Sequence, residues 1–271
     1  MTSAPTPRVH PRRVAFEYAS LPKHWLAGDA IATHFANGIN LLFPHGERFF
    51  VRSVQKHLHR IDDPTLRADA KAFFGQEGTH AREHERFFDV LRDQGYEIDD
   101  FLRRYEGIAS AIERRMPDAL QLAVTAASEH YTALLGHAAL TNGLFETAHP
   151  TVRDLLLWHA AEEIEHKAVA FDVLQATNPS YALRMAGMAL GSTMLVAFWL
   201  AATARLLRQD GYGLREIAAA FRGFGANDQM GLRALGRGIA MYARRDFHPW
   251  QEDDLHLARE YFARVGMEAA A

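Results

Sequence analysis

The chain has 271 residues, 48% of them hydrophobic, with a formal net charge of -3 and no cysteine. That length and apolar content can bury a large core, and the missing cysteines exclude disulfides, thiolate metal sites and a cysteine nucleophile. Lys and Arg are not gathered into one basic face, so nucleic acid is not expected as a partner.

Residues 1–13 hold three prolines and three arginines with no apolar run behind them. They read as a flexible arm rather than a signal peptide, which makes a cytoplasmic location the default, and the arm is taken to residue 35. From there helical periodicity dominates. Pro44, Pro64, Pro117 and Pro150 each stand just before or at the start of an apolar-periodic segment, where a missing N–H costs nothing. The pattern predicts long helices at 44–60, 64–94, 117–143 and 150–176, within a domain spanning 36–178. The stretch Gly95 to Arg115 is long for a tight turn and suits a crossover connection. Residues 179–271 read as a helical extension packed on that domain. Within it, 185–204 is an uncharged run of 20 between Arg184 and Arg205. Its length would span a bilayer, but small residues make up more than half of it and mark close helix packing. A buried fifth helix or a homodimer interface is expected there, with membrane contact as the alternative. The segments 213–224, 227–244 and 252–267 read as short amphipathic helices, with His248 a hydrogen-bonding residue in the loop before the last.

The chemistry lies in two Glu-x-x-His steps, Glu77 to His80 and Glu163 to His166, each preceded one helix earlier by a lone glutamate, Glu47 or Glu129. This is the ligand set of a dinuclear carboxylate site in a four-helix bundle. Glu47 and Glu77 stand 15 residues either side of a turn near Asp62, and Glu129 and Glu163 stand 18 and 16 residues either side of one near Thr147. Antiparallel helices rise equally from their turn, so each pair should meet at one height. All four glutamates fall on apolar stripes, and buried carboxylates must protonate or bind cations; two divalent ions would neutralise the four. His80 and His166 lie on the same faces one turn along. His159, four residues before Glu163, is the expected seventh ligand. His84 is either a further ligand or a hydrogen-bond partner of a ligating group, and His130 is expected to hydrogen-bond elsewhere. Glu162, Glu165, Glu83 and Glu85 fall off the stripes and are expected to face solvent or to support the ligands from behind.

From about Phe43 to Asp172 the chain resembles the ferritin-like di-iron proteins, and His159 gives it a likeness to their arylamine N-oxygenase branch. Over most of its length it also resembles the bacterial predicted metal-dependent hydrolases, through Phe43-Pro44-His45-Gly46-Glu47-Arg48-Phe49-Phe50, Gln76-Glu77-Gly78-Thr79-His80, Glu162-Glu163-Ile164-Glu165-His166-Lys167 and Phe247-His248-Pro249-Trp250. The resemblance implies an all-α, ferritin-like four-helix bundle with additional C-terminal helices. It implies two Fe ions, with Mn or Zn as alternatives, and no other cofactor. The expected function is a di-iron oxidase or oxygenase acting on a small organic substrate with O2 and an electron donor. A dinuclear metal-dependent hydrolase and a non-catalytic iron-binding protein are the alternatives.

Overall fold

The computed structural model describes residues 9–226 and 232–268, and among them every regular element is helical, apart from one isolated bridge between Leu26 and Ala148. Local chemistry starts the helices where the prolines suggested. Asp63 caps α3 (Pro64–Asp93) by accepting from the Thr65 N–H at 2.8 Å, and Pro64 follows as its first residue. Pro44 lies in the first turn of α2 (Phe43–Gln55), and α5 (Asp118–Thr141) begins just after Pro117. Asp29 caps α1 (Ala30–Asn40) through the Ile31 and Ala32 N–H groups. Helix α2 stops at Gln55, short of the expected 60. There the His57 Nδ1 takes the Ser53 carbonyl at 3.0 Å, so the His57 N–H turns to Val54 O and a 3-10 turn follows over Leu58–Arg60. The stretch after Tyr96 is not simple crossover chain but contains its own helix, α4 (Asp99–Glu113).

Four walls surround one interior. Helix α2 packs on α3 and α5; α5 packs on α6 (Pro150–His166) and α7 (Val169–Thr177); α3 closes the ring against α6 and α7. The expected single helix over 150–176 is interrupted at Lys167 and Ala168, directly after His166. Lys167 is buried there, donating to Glu252 O at 2.8 Å and paired with Asp254.

The C-terminal helices wrap this ring. Helix α8 (Tyr181–Gln209) packs against α5 and α1, and α11 (Leu255–Val265) against α6. Helix α8 is long and apolar enough to cross a membrane by length and composition, with 28% of its most apolar window buried. The expectation of a buried fifth helix therefore holds for one face only: Gly187, Met188, Gly191, Trp199 and Ala202 are covered, while Ala182, Ala186, Ala189, Thr193 and Ala197 are exposed. Helices α9 (Leu214–Ala226) and α10 (Leu232–Tyr242) follow; residues 227–231 of the helix expected at 227–244 lie outside the described residues.

Residues 9–29 correct the reading of a flexible arm. They lie on the bundle, with Val9, Arg12 and Trp25 buried, and α1 begins inside the stretch assigned to the arm. Residues 1–8 lie outside the described residues.

Candidate metal centre

Helix α2 brings Glu47, α3 brings Glu77, His80 and His84, α5 brings Glu129 and His130, and α6 brings His159, Glu163 and His166. Seven of these converge: Glu47, Glu77, His80, Glu129, His159, Glu163 and His166 are all buried. His166 Nε2 stands 3.2 Å from Glu77 Oε1, 3.2 Å from Glu129 Oε2 and 3.4 Å from Glu163 Oε2. His159 Nε2 is 2.8 Å from Glu163 Oε1 and 3.7 Å from Glu47 Oε1, and His80 Nδ1 is 3.6 Å from Glu163 Oε1. Two ligands at right angles on a metal with bonds of about 2.1 Å would lie about 3.0 Å apart, so these separations suit donors around shared ions. Ligand atoms of Glu47, Glu77 and His80 lie within 4.8 Å of one another, as do those of Glu77, Glu163 and His166, of His80, His159 and Glu163, and of Glu47, His84 and His159. Glu47, Glu77 and Glu163 each belong to more than one such group, so their carboxylates lie between neighbouring sets of donors.

The test of fit is what these atoms lack. Both oxygens of Glu47, Glu77 and Glu129, together with Glu163 Oε2, His80 Nδ1 and His166 Nε2, are buried without a hydrogen-bond partner among the described residues. Buried polar atoms are nearly always satisfied, so such a set facing one interior is the signature of cations. Without metal, burial and the facing carboxylates hold Glu47 and Glu77 well above the ordinary carboxylate range. Burial likewise holds Glu129 up to about 7, against the pull of His166. At Glu163 burial is outweighed by His166 and His159, which hold it well below that range.

Each histidine is oriented from behind. His80 Nε2 donates to Glu162 Oε2 at 2.9 Å, and His166 Nδ1 donates to Gln76 Oε1 at 2.9 Å, so each ring turns its other nitrogen inward. His84 stands at the edge of this convergence, with a ring nitrogen within 4.8 Å of ligand atoms of Glu47 and His159, but both of its nitrogens are engaged. Its Nδ1 pairs with Asn40 Oδ1, and its Nε2 lies 2.7 Å from His159 Nδ1. An amide oxygen only accepts, so this orientation puts the proton on His84 Nδ1, and His84 Nε2 accepts from His159 Nδ1–H. His159 Nε2 then keeps a lone pair aimed at the Glu163 carboxylate, a pairing that needs a proton or a metal between the two. His130 points away as expected, its Nε2 donating to Gly238 O at 3.0 Å. His248 Nε2 donates to Asp172 Oδ1 at 2.9 Å.

Of the two expectations for Glu162 and Glu165, the structure takes the supporting one, while Arg12 and Gln76, which complete that support, were missed by the sequence reading. Glu162 and Glu165 are fully buried, and both are held by Arg12 from the N-terminal segment: 2.9 Å to Glu162 Oε1, and 2.7 Å to each oxygen of Glu165. Gln76 Nε2 donates to Glu165 Oε2 at 3.1 Å, which ties the His166 side to the same guanidinium. Spacing could not find Arg12, because it lies far from the bundle in the chain. The signal for the glutamates was weak: residues 158–166 of α6 are buried all round, because α11 covers the face that stripe reasoning assigns to solvent. Glu83 is also buried, paired with Arg86 at 2.8 Å, while Glu85 is half-buried and bidentate with Arg48.

A helical ring that buries four glutamates and three histidines around one space defines a metal-dependent protein. Residues 10–253 match the family model described as predicted metal-dependent hydrolase, and the chain belongs to that family of metal-dependent enzymes. Comparison with curated proteins and with solved structures finds no match.

Proposed function

We propose that Glu47, Glu77, His80, Glu129, His159, Glu163 and His166 hold two divalent ions, and that the iron-loaded centre activates O2 to oxidise a small organic substrate. The observation that carries this reading is the set of partnerless ligand atoms facing one interior, contributed entirely by carboxylates and imidazoles from four packed helices. Two irons in such a donor set would supply the electrons that reduce O2. The protein's part is to bind, orient and keep dry. The four carboxylates would cancel the charge of two divalent ions, and Glu47, Glu77 and Glu163, each close to more than one set of donors, would help to hold both. The Glu162 and Gln76 contacts fix the tautomers of His80 and His166. Phe73 packs edge-on to His166 at 5.0 Å, Trp158 to His80 at 4.9 Å and Phe43 to His159 at 4.7 Å, which excludes water from the rings' outer faces.

The family description favours a second reading, hydrolysis. The same ligands would then hold ions that polarise an ester or phosphate and acidify a bound water. One experiment separates the two. Protein loaded with Fe(II) under anaerobic conditions and then given O2 should consume it in proportion to bound iron, and Glu129→Ala should lose both iron and uptake. Bound iron with no O2 uptake, alongside oxygen-independent ester hydrolysis by the Zn- or Mn-loaded protein, would replace oxidation with hydrolysis. Bound iron with neither activity would leave an iron-binding protein.

A further inference from the structure

A cleft lies between α2, α4, α5 and α8, and Glu47 forms part of its wall. Glu47 thus faces both the donor set and this cleft. We propose that the cleft is the substrate site of the metal centre and takes a neutral, apolar molecule whose reacting group lies against Glu47. This rests on the reading of the glutamates as metal ligands.

The chemistry of the walls sets the ligand class. Leu42, Phe50, Val124, Met194, Leu195 and Phe198 give an apolar surface. The polar groups in the lining are largely engaged by the protein itself. Tyr105 Oη donates to Leu42 O at 3.2 Å, Thr132 Oγ1 donates to Glu129 O at 3.1 Å, and the Tyr131 hydroxyl lies 2.7 Å from Ser192 Oγ. Glu113 is paired through both oxygens with Arg52. Among the described residues the lining holds no lysine or arginine, so an anionic head inside it would meet the carboxylates Glu47 and Glu113 with His45 the one titratable base. A cationic head would find Glu113 already matched by Arg52 and Glu47 committed to metal. Burying a charge on those terms is costly, whereas an apolar body replaces water at a gain.

The space is made by a glycine that helix packing does not require. A Cβ at Gly187 would collide with the Ala123 backbone, so that glycine lets α8 approach α5. One turn on, a Cβ at Gly191 would meet nothing nearer than Ser128 Oγ and Val124 O, both at 3.6 Å. The absent side chain at Gly191 leaves room in the cleft, which makes it the position that sets how large a molecule enters.

The test uses two dyes that differ by one sulfonate, N-phenyl-1-naphthylamine and 1-anilinonaphthalene-8-sulfonate, titrated into full-length protein with and without metal. The neutral dye should bind in both states, and in the metal-free protein the anionic dye should bind about tenfold more weakly or worse, since its charge has no partner there. Gly191→Leu and Met194→Trp should each weaken the neutral dye by about tenfold or more while metal content stays at the wild-type level, and Gly191→Ala should change it by no more than about twofold. Equal binding of both dyes by the metal-free protein, which needs no variant to observe, would overturn the proposal. So would neutral-dye binding unchanged in two blocked variants that unfold like the wild type. Gly191-dependent binding in a protein that takes up no metal would sink the metal reading alone. Full metal content without such binding would sink the cleft alone.

Discussion

Arg12 joins the two ends of the centre's support. One guanidinium holds Glu162, which accepts from His80, and Glu165, which accepts from Gln76 behind His166. It also lies over the Phe262 ring at 3.6 Å and donates to Glu268 O at 2.7 Å, so it pins α11 and the residues after it to the same point. Removing one partner of a buried ion pair strands the other charge. Arg12→Met should therefore cost about 3–5 kcal/mol of stability, because two buried carboxylates lose their cation. Urea unfolding should show that loss, and metal analysis should show weaker retention, since both ring orientations are released. A stable Arg12→Met protein with full metal content would contradict the role. A second residue-scale expectation follows from Glu129, held up to about 7 by burial. A carboxyl raised on folding stabilises the metal-free fold below its ordinary value of 4.5, and that contribution is lost as pH rises through about 7. Glu47 and Glu77 are raised as well, so metal must displace protons from these groups. Metal binding at pH 6.5 should release protons, read by calorimetry in buffers of different ionisation enthalpy, and the stabilisation conferred by metal should grow from pH 5.5 to 7.5. Buffer-independent heats would contradict it.

At the scale of elements, the centre depends on how closely α5 approaches its neighbours. A Cβ at Gly136 would lie 2.7 Å from Ala160 O, one residue after His159. Gly136→Ala should therefore push α6 away from α5, costing about 1–3 kcal/mol by overpacking despite alanine's better helix propensity. It should also lower metal content, because Glu129 and His159 separate with their helices. An unfolding midpoint at or above the wild-type value would show that the contact relaxes freely. The four ligand-bearing helices were legible in the sequence because their starts are marked by proline and their inward faces by paired Glu and His steps of matched height. Their ends were less legible. The stop at Gln55 depends on a side chain, His57, competing for a carbonyl, and the break after His166 coincides with a lysine drawn to Asp254, 87 residues away. Neither partner is visible from local periodicity. The same limit hid Arg12, whose role exists only when the N-terminal segment lies on the bundle.

For the whole molecule, the N-terminal segment and the C-terminal helices act as a jacket that turns a helical ring into an enclosed centre. Arg12 and α11 cover the outer side of α6, while α8 covers α5 and forms a wall of the cleft that reaches Glu47. A second tie closes the other end, where Asp210 just beyond α8 is paired with Lys23 at 2.8 Å, His24 at 2.6 Å and His34 at 2.7 Å, and accepts from Tyr96 Oη at 3.0 Å. So much buried carboxylate must either keep protons or take up cations, and the two-ion centre proposed above is the second of these. The most direct measurement is therefore metal stoichiometry by mass spectrometry on full-length protein after titration with Fe(II) and removal of loose ions. The wild type should retain about two ions per chain and Glu129→Ala fewer, as expected for a dinuclear carboxylate site. A wild type that retains none, or one whose bound metal is unchanged by Glu129→Ala, would contradict a centre built from these residues.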